Sequence, residues 1–127
     1  MKKLTPVIFA DEVEPCLQFW LDLGFKQTME VPHEDRIGFA AVASGSVEVM
    51  YQSRPSIAAD LPELAVGEFA RSGNAFFIEV ASLDDVLAGL GDVEVVVPER
   101  NTSYGAREIW VRAPCGTMVG FAEMTGE

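Results

Sequence analysis

A chain of 127 residues carrying a formal charge of −11, with a pI near 4.4, is one domain's worth of acidic protein. Nine basic residues against twenty acidic ones oppose binding to polyanionic DNA or RNA. The 49% hydrophobic content contains no apolar run near the roughly 20 residues a membrane helix needs, so a soluble globular protein with no membrane partner is expected.

Residues 1–6 bring two lysines but no apolar segment of the secretory kind, because Asp11, Glu12 and Glu14 interrupt at once. A cytoplasmic location is therefore expected, with Cys16 and Cys115 as free thiols. Residues 4–9 (LTPVIF) read as a first strand, and Pro6 within it demands an edge position or an exchanged arm. Asp11 and Glu14 have the spacing of a capping box. Val13, Cys16, Leu17, Trp20 and Leu21 follow at helical intervals, Phe19–Trp20 read as core, and Gly24 is the stop. Three strands come next, 25–31, 37–44 and 47–52, separated by Pro32-His33-Glu34-Asp35 and Ser44-Gly45-Ser46. Residues 53–74 read as a connector with room for one short helix.

The pattern then restarts. Residues 75–80 (AFFIEV) form a strand, and Ser82 with Asp85 caps a helix in which Leu83, Val86, Leu87 and Leu90 repeat the spacing of Val13, Cys16, Leu17 and Trp20. Strands 93–97, 107–112 and 117–123 complete a second meander. The expected fold class is α+β: a single domain spanning 1–127, made of two βαβββ units at about 1–55 and 73–125, whose paired sheets form a curved trough. The last hairpin, 104–123, turns at Ala113-Pro114-Cys115-Gly116. Its first strand places Glu108, Trp110 and Arg112 on one face, and Gly120 and Ala122 of the second strand leave room beside the indole. This face reads as a ligand wall, with Trp110 as a flat apolar surface and Glu108 and Arg112 as polar handles.

Four stretches carry a family resemblance: LTPVIFADEVEPCLQFWLDLGF (4–25), SGSVEVMYQ (44–52), GNAFFIEVASLDDV (73–86) and VVVPERNTSYGAREIWVRAPCGTMVGFAE (95–123). Together they resemble the vicinal oxygen chelate superfamily, which includes glyoxalase I, extradiol dioxygenases, fosfomycin-modifying enzymes and bleomycin resistance proteins. The bleomycin-resistance-like branch is the nearest in pattern. Its final turn often reads V-R-D-P-D-G, whereas Ala113 and Cys115 stand here in place of the two aspartates.

The superfamily's enzymes hold a divalent ion on His and Glu side chains, and the resemblance places those positions at Leu4, Glu48, Ala75 and Gly120. Three of the four cannot bind a metal, and the one histidine, His33, lies elsewhere in a turn, so no metal and no cofactor is expected. Residues in phase with those positions face the trough: Glu48, Met50 and Gln52 in the first half, Phe77 and Glu79 in the second. Tyr104, Glu108, Trp110 and Arg112 join them. Acidic and aromatic groups together suit a planar or cationic ligand.

The resemblance implies a homodimeric, non-catalytic binding protein of the antibiotic-resistance type. Two alternatives stay open. One is a lyase, isomerase or dioxygenase-like enzyme with an atypical or absent metal site, and the other is a structural or regulatory module.

Overall fold

The computed structural model describes residues 5–60, 62, 75–103 and 105–125, with backbone only at residue 115. They fall into two compact units, the first ending at Ser72 and the second beginning at Gly73.

The first unit runs β1 (Val7–Ala10), α1 (Val13–Asp22), β2 (Lys26–His33), β3 (Arg36–Ser44), β4 (Val47–Ser53) and α2 (Arg54–Asp60). Its sheet has the order β1-β4-β3-β2. The strand β1 lies at the edge and runs parallel to β4 of the same chain, with Val7 opposite Met50, which agrees with the edge position demanded by Pro6. Helix α1 buries Val13, Cys16, Leu17, Phe19 and Trp20. The Trp20 ring meets Phe19 edge-on at 5.0 Å and Phe25 at 4.9 Å, and its Nε1 donates to Tyr51 Oη at 2.8 Å. Burial pushes the Tyr51 phenol up to about 12, so at neutral pH it is a reliable neutral acceptor for the indole. Gly24, at φ +95°, ends the helix as expected.

The second unit repeats the plan: β5 (Ala75–Glu79), α3 (Leu83–Leu90), β6 (Glu94–Asn101), β7 (Ala106–Arg112), a 3-10 turn at Pro114–Gly116, and β8 (Met118–Met124). Its sheet order is β5-β8-β7-β6. Adding 70 to Val7 and to Met50 gives Phe77 and Gly120, and these two occupy the same parallel register. The Ser82 hydroxyl caps α3 by accepting from Asp85 N at 3.2 Å, and Leu83 N donates to Glu123 Oε1 at 2.7 Å. The fold is α+β, two βαβββ units, and neither sheet closes into a barrel.

Four local expectations change. The Asp11–Glu14 capping box is not made. Glu12 is the N-cap without a side-chain bond, Asp11 pairs with Arg54 at 3.1 Å, and Glu14 accepts from Ile37 N at 3.0 Å with Arg36 beside it at 3.4 Å. A carboxylate gains more from a strand N–H plus a guanidinium than from its own helix start. The backbone bond to Ile37, with Arg36 assisting, holds the Glu14 carboxyl below its ordinary range.

The turn at 32–35 is tighter than read. His33 pairs with Arg36 at the end of β2 and β3, and only Glu34 and Asp35 reverse the chain, Glu34 at φ +55°. On the other edge, β6 continues past Val97 through Pro98 to Asn101. An edge strand can spare the missing N–H, and register shifts between Val95, Val97 and Arg100 absorb the misfit. Finally, Cys16 is disulfide-bonded rather than a free thiol, and no described cysteine is free. A half-cystine and a buried thiol look the same in a single helix's periodicity, so the sequence pattern of α1 carried no sign of the bond.

Candidate functional site

Alternation along β7 and β8 sorts the second sheet into two faces. Toward α3 lie Ile109, Val111, Val119 and Phe121, all buried, together with Arg107, which bonds Glu99 at 2.6 Å and Asp84 of α3 at 3.2 Å. On the face away from α3, Trp110 stands opposite Gly120, which stands opposite Phe77. Glu108, Ala122 and Glu79 form the next such row.

Gly120 is small because the indole occupies the space above it. A Cβ there would sit 2.5 Å from Trp110 Cε2 and 2.6 Å from Cζ2. The ring therefore lies down on the backbone of β8, with the half-exposed Phe77 ring 6.3 Å away and tilted 41°. Its rotation is set as well: Nε1 donates to Glu108 Oε2 at 3.0 Å. The same oxygen accepts from Arg100 Nη2 at 2.8 Å and Nε at 3.0 Å. Glu108 is fully buried, and a buried carboxylate without such donors would cost several kcal/mol. Arg100, Glu108 and Trp110 thus form one hydrogen-bonded unit that holds an aromatic surface in a fixed pose.

The expected site residues separate by role. Trp110, Phe77 and Glu79 share the face away from α3, with Glu79 exposed. Glu108 lies on that face too, but its carboxylate holds Arg100 and Trp110. Arg112 pairs with Glu94 at 3.2 Å on the exposed rim. In the first unit, Glu48, Met50 and Gln52 share the face away from α1. Glu48 Oε1 accepts from Thr5 at 3.1 Å, Met50 lies between Val7 and Ala41, and Gln52 is nearly buried. Tyr104 and Leu4 lie outside the described residues.

Sequence reasoning missed Arg100, since ending the strand at Val97 placed this arginine in a loop. It also missed His33, Phe39 and Ser56, which with Val31, Gln52 and Asp60 line a cleft of about 490 Å³ beside α2.

The metal positions implied by the resemblance do not fit an ion. Ala75 and Gly120 carry no donor atom, and Glu48 already accepts from Thr5. Among the described residues no three His, Cys, Asp or Glu side chains converge.

No protein-family model matches the sequence, and no curated protein is significantly similar to it. Solved structures are a different matter. TioX from Micromonospora sp. ML1 superposes with a TM-score of 0.78 over 97% of this chain and 98% of its own, at 15% identity. A glyoxalase/bleomycin resistance protein/dioxygenase from Nocardioides gives 0.74 over 100% and 87%, at 19% identity. The chain has the vicinal oxygen chelate fold. A glyoxalase/bleomycin resistance protein from Catenulispora acidiphila gives 0.65 over 96% and 97%, at 21% identity. Identities this low carry the fold and leave the ligand to be argued from this chain's own side chains. No helix among the described residues is long and apolar enough to cross a membrane.

Proposed function

We propose that this chain is a non-catalytic binding protein that stacks a planar small molecule on Trp110. The observation that carries the reading is the indole laid flat on Gly120 and tied through Nε1 to the buried Glu108–Arg100 pair. A stacking surface fixed before the ligand arrives loses little side-chain entropy on binding. Phe77 adds a second ring, and the exposed Glu79 with the chain's charge of −11 favours cationic ligands through cation–π and Coulomb attraction. Antibiotics of that chemistry, a homodimeric assembly and a cytoplasmic location belong to the same proposal. The names of the Nocardioides and Catenulispora structures support its resistance aspect.

The test is titration calorimetry with metal-free and copper-loaded bleomycin and with the planar cation proflavine, on the native chain and on Trp110→Ala. Binding by the native chain that falls at least about tenfold in the variant supports the proposal. No heat with any of the three at high micromolar concentration rejects these ligands. Near-stoichiometric Zn, Ni, Mn or Fe in protein purified without added metal would favour the enzyme alternative instead.

A further inference from the structure

The cleft beside α2 is built differently from the aromatic face of the second unit, and its floor is a pair of polar side chains. Gln52 on β4 is 7% exposed, and its Nε2 donates to Ser56 Oγ on α2 at 3.1 Å. Ser56 is held in turn by its own backbone, whose N–H bonds Ser53 Oγ at 3.2 Å. That arrangement leaves two groups with no bond among the described residues: the Gln52 carbonyl oxygen and the Ser56 hydroxyl proton. No described side-chain oxygen or nitrogen is sealed from solvent without a partner, so the unbonded Gln52 oxygen reaches solvent, and Gln52 and Ser56 both line the cleft. Rotating the Gln52 amide by 180° exchanges the two roles and still presents one donor beside one acceptor.

Space for this pair is kept by Gly38. A Cβ there would sit 2.5 Å from His33 Cβ and 3.2 Å from both Ser56 Cβ and Oγ, so any larger residue would push the histidine and the serine apart. Val31 and Phe39 supply an apolar wall, and a volume of about 490 Å³ is within the range of small-molecule sites.

We infer that this cleft is a binding site for an uncharged carboxamide or lactam carrying an apolar group, with the Gln52–Ser56 pair reading the amide edge. An amide offers one acceptor and one donor side by side, which is the complement of what the floor presents. A carboxylate offers only acceptors, would leave the Gln52 oxygen facing a like lone pair, and would meet Asp60 at the rim in a chain of charge −11. An ester offers no donor. The site is independent of stacking on Trp110, and one can exist without the other.

The probes are benzamide and methyl benzoate, which share a ring and differ in the donor. Each is titrated into the uniformly 15N-labelled full chain and followed by the amide and side-chain resonances of His33, Gln52 and Ser56. Benzamide binding about tenfold tighter than methyl benzoate, with the largest shifts at these residues, supports the inference. Ser56→Ala lowers benzamide affinity about tenfold and leaves the ester unchanged. Ala59→Trp, at an exposed position lining the same cleft, removes both. Proflavine shifts the Trp110 side-chain resonance and leaves those of His33, Gln52 and Ser56 unchanged, which separates this site from the stacking face. Equal affinities for amide and ester, benzamide binding indifferent to Ser56→Ala or Ala59→Trp, or benzamide shifts that are largest at Trp110 would each overturn it.

Discussion

The two units share a register and use it for opposite purposes. On the face away from the unit's first helix, the first unit places Met50 on β4 with Ala41 on the neighbouring β3, and the second places Gly120 on β8 with Trp110 on β7. Large beside small has become small beside large. Each unit also owns one tryptophan, and they go to opposite sides. Trp20 is sealed between α1 and its sheet and satisfied by Tyr51, whereas Trp110 lies on the face that α3 leaves uncovered and is satisfied by Glu108. The difference teaches that an indole's destination is decided by what receives its N–H and what volume its neighbour surrenders, rather than by its apolar character.

The largest expected effect comes from Cys16, whose counterpart seventy residues on is Val86. Cys16→Val copies the second helix into the first and removes the disulfide, and it should lower stability by about 2–4 kcal/mol in urea denaturation. Reductant should produce the same loss in the native chain and none in the variant. If native and variant melt alike without reductant, the bond does not constrain the fold in solution.

Exchanging the central residues tests the size inversion. Gly120→Met alone drives a side chain into the indole and should cost about 2–3 kcal/mol. Adding Trp110→Ala, which completes the Met50–Ala41 pattern, should recover at least half of that, while proflavine binding is lost. A double variant that is no more stable than Gly120→Met would show that the two sheets do not solve the same volume problem.

Tyr51→Phe installs the residue that the second unit has at Phe121 and leaves the Trp20 N–H buried without an acceptor, at a cost of about 1–2 kcal/mol. The alkaline limb follows from the same phenol. Its folded pKa is raised to about 12 from 10.0, so its contribution is full below pH 10 and is lost as pH rises toward 12; the phenylalanine variant lacks that decline.

The smallest effect concerns the helix ties, which run in opposite directions: Glu14 of α1 reaches a strand N–H, while Glu123 of β8 reaches the first N–H of α3. Glu14→Gln should cost only about 0.5 kcal/mol, since the carboxylate is partly exposed. Because its folded pKa is depressed, that contribution is present above about pH 4.5 and fades as pH falls below it, and the variant's acid denaturation should be correspondingly shallower.

Much of this was legible beforehand, and the reason is periodicity. Apolar spacing alone located both long helices, the two meanders and the seventy-residue repeat, because burial of one helix stripe and one sheet face leaves a signature that needs no knowledge of neighbours. Parity likewise put Phe77, Glu79, Glu108 and Trp110 on one face. What parity could not reveal was which of these groups would be engaged by one another. In the sequence Glu108 has the place of a polar handle for a ligand, but Arg100, eight residues earlier and across a bulged strand, takes that carboxylate. The ending of β6 hid Arg100, since proline argues against a strand unless the strand is known to be an edge.

The sequence by itself determined the elements, their order, the duplicated plan and the acidity that opposes nucleic-acid binding, all of which depend on local composition and spacing. Only the tertiary structure decided that the indole lies flat over Gly120, that Gln52 and Ser56 face a cleft together, and that Cys16 is bonded. Each of those depends on distances between residues far apart in the chain, and a pairwise contact leaves no period in a single sequence to be read.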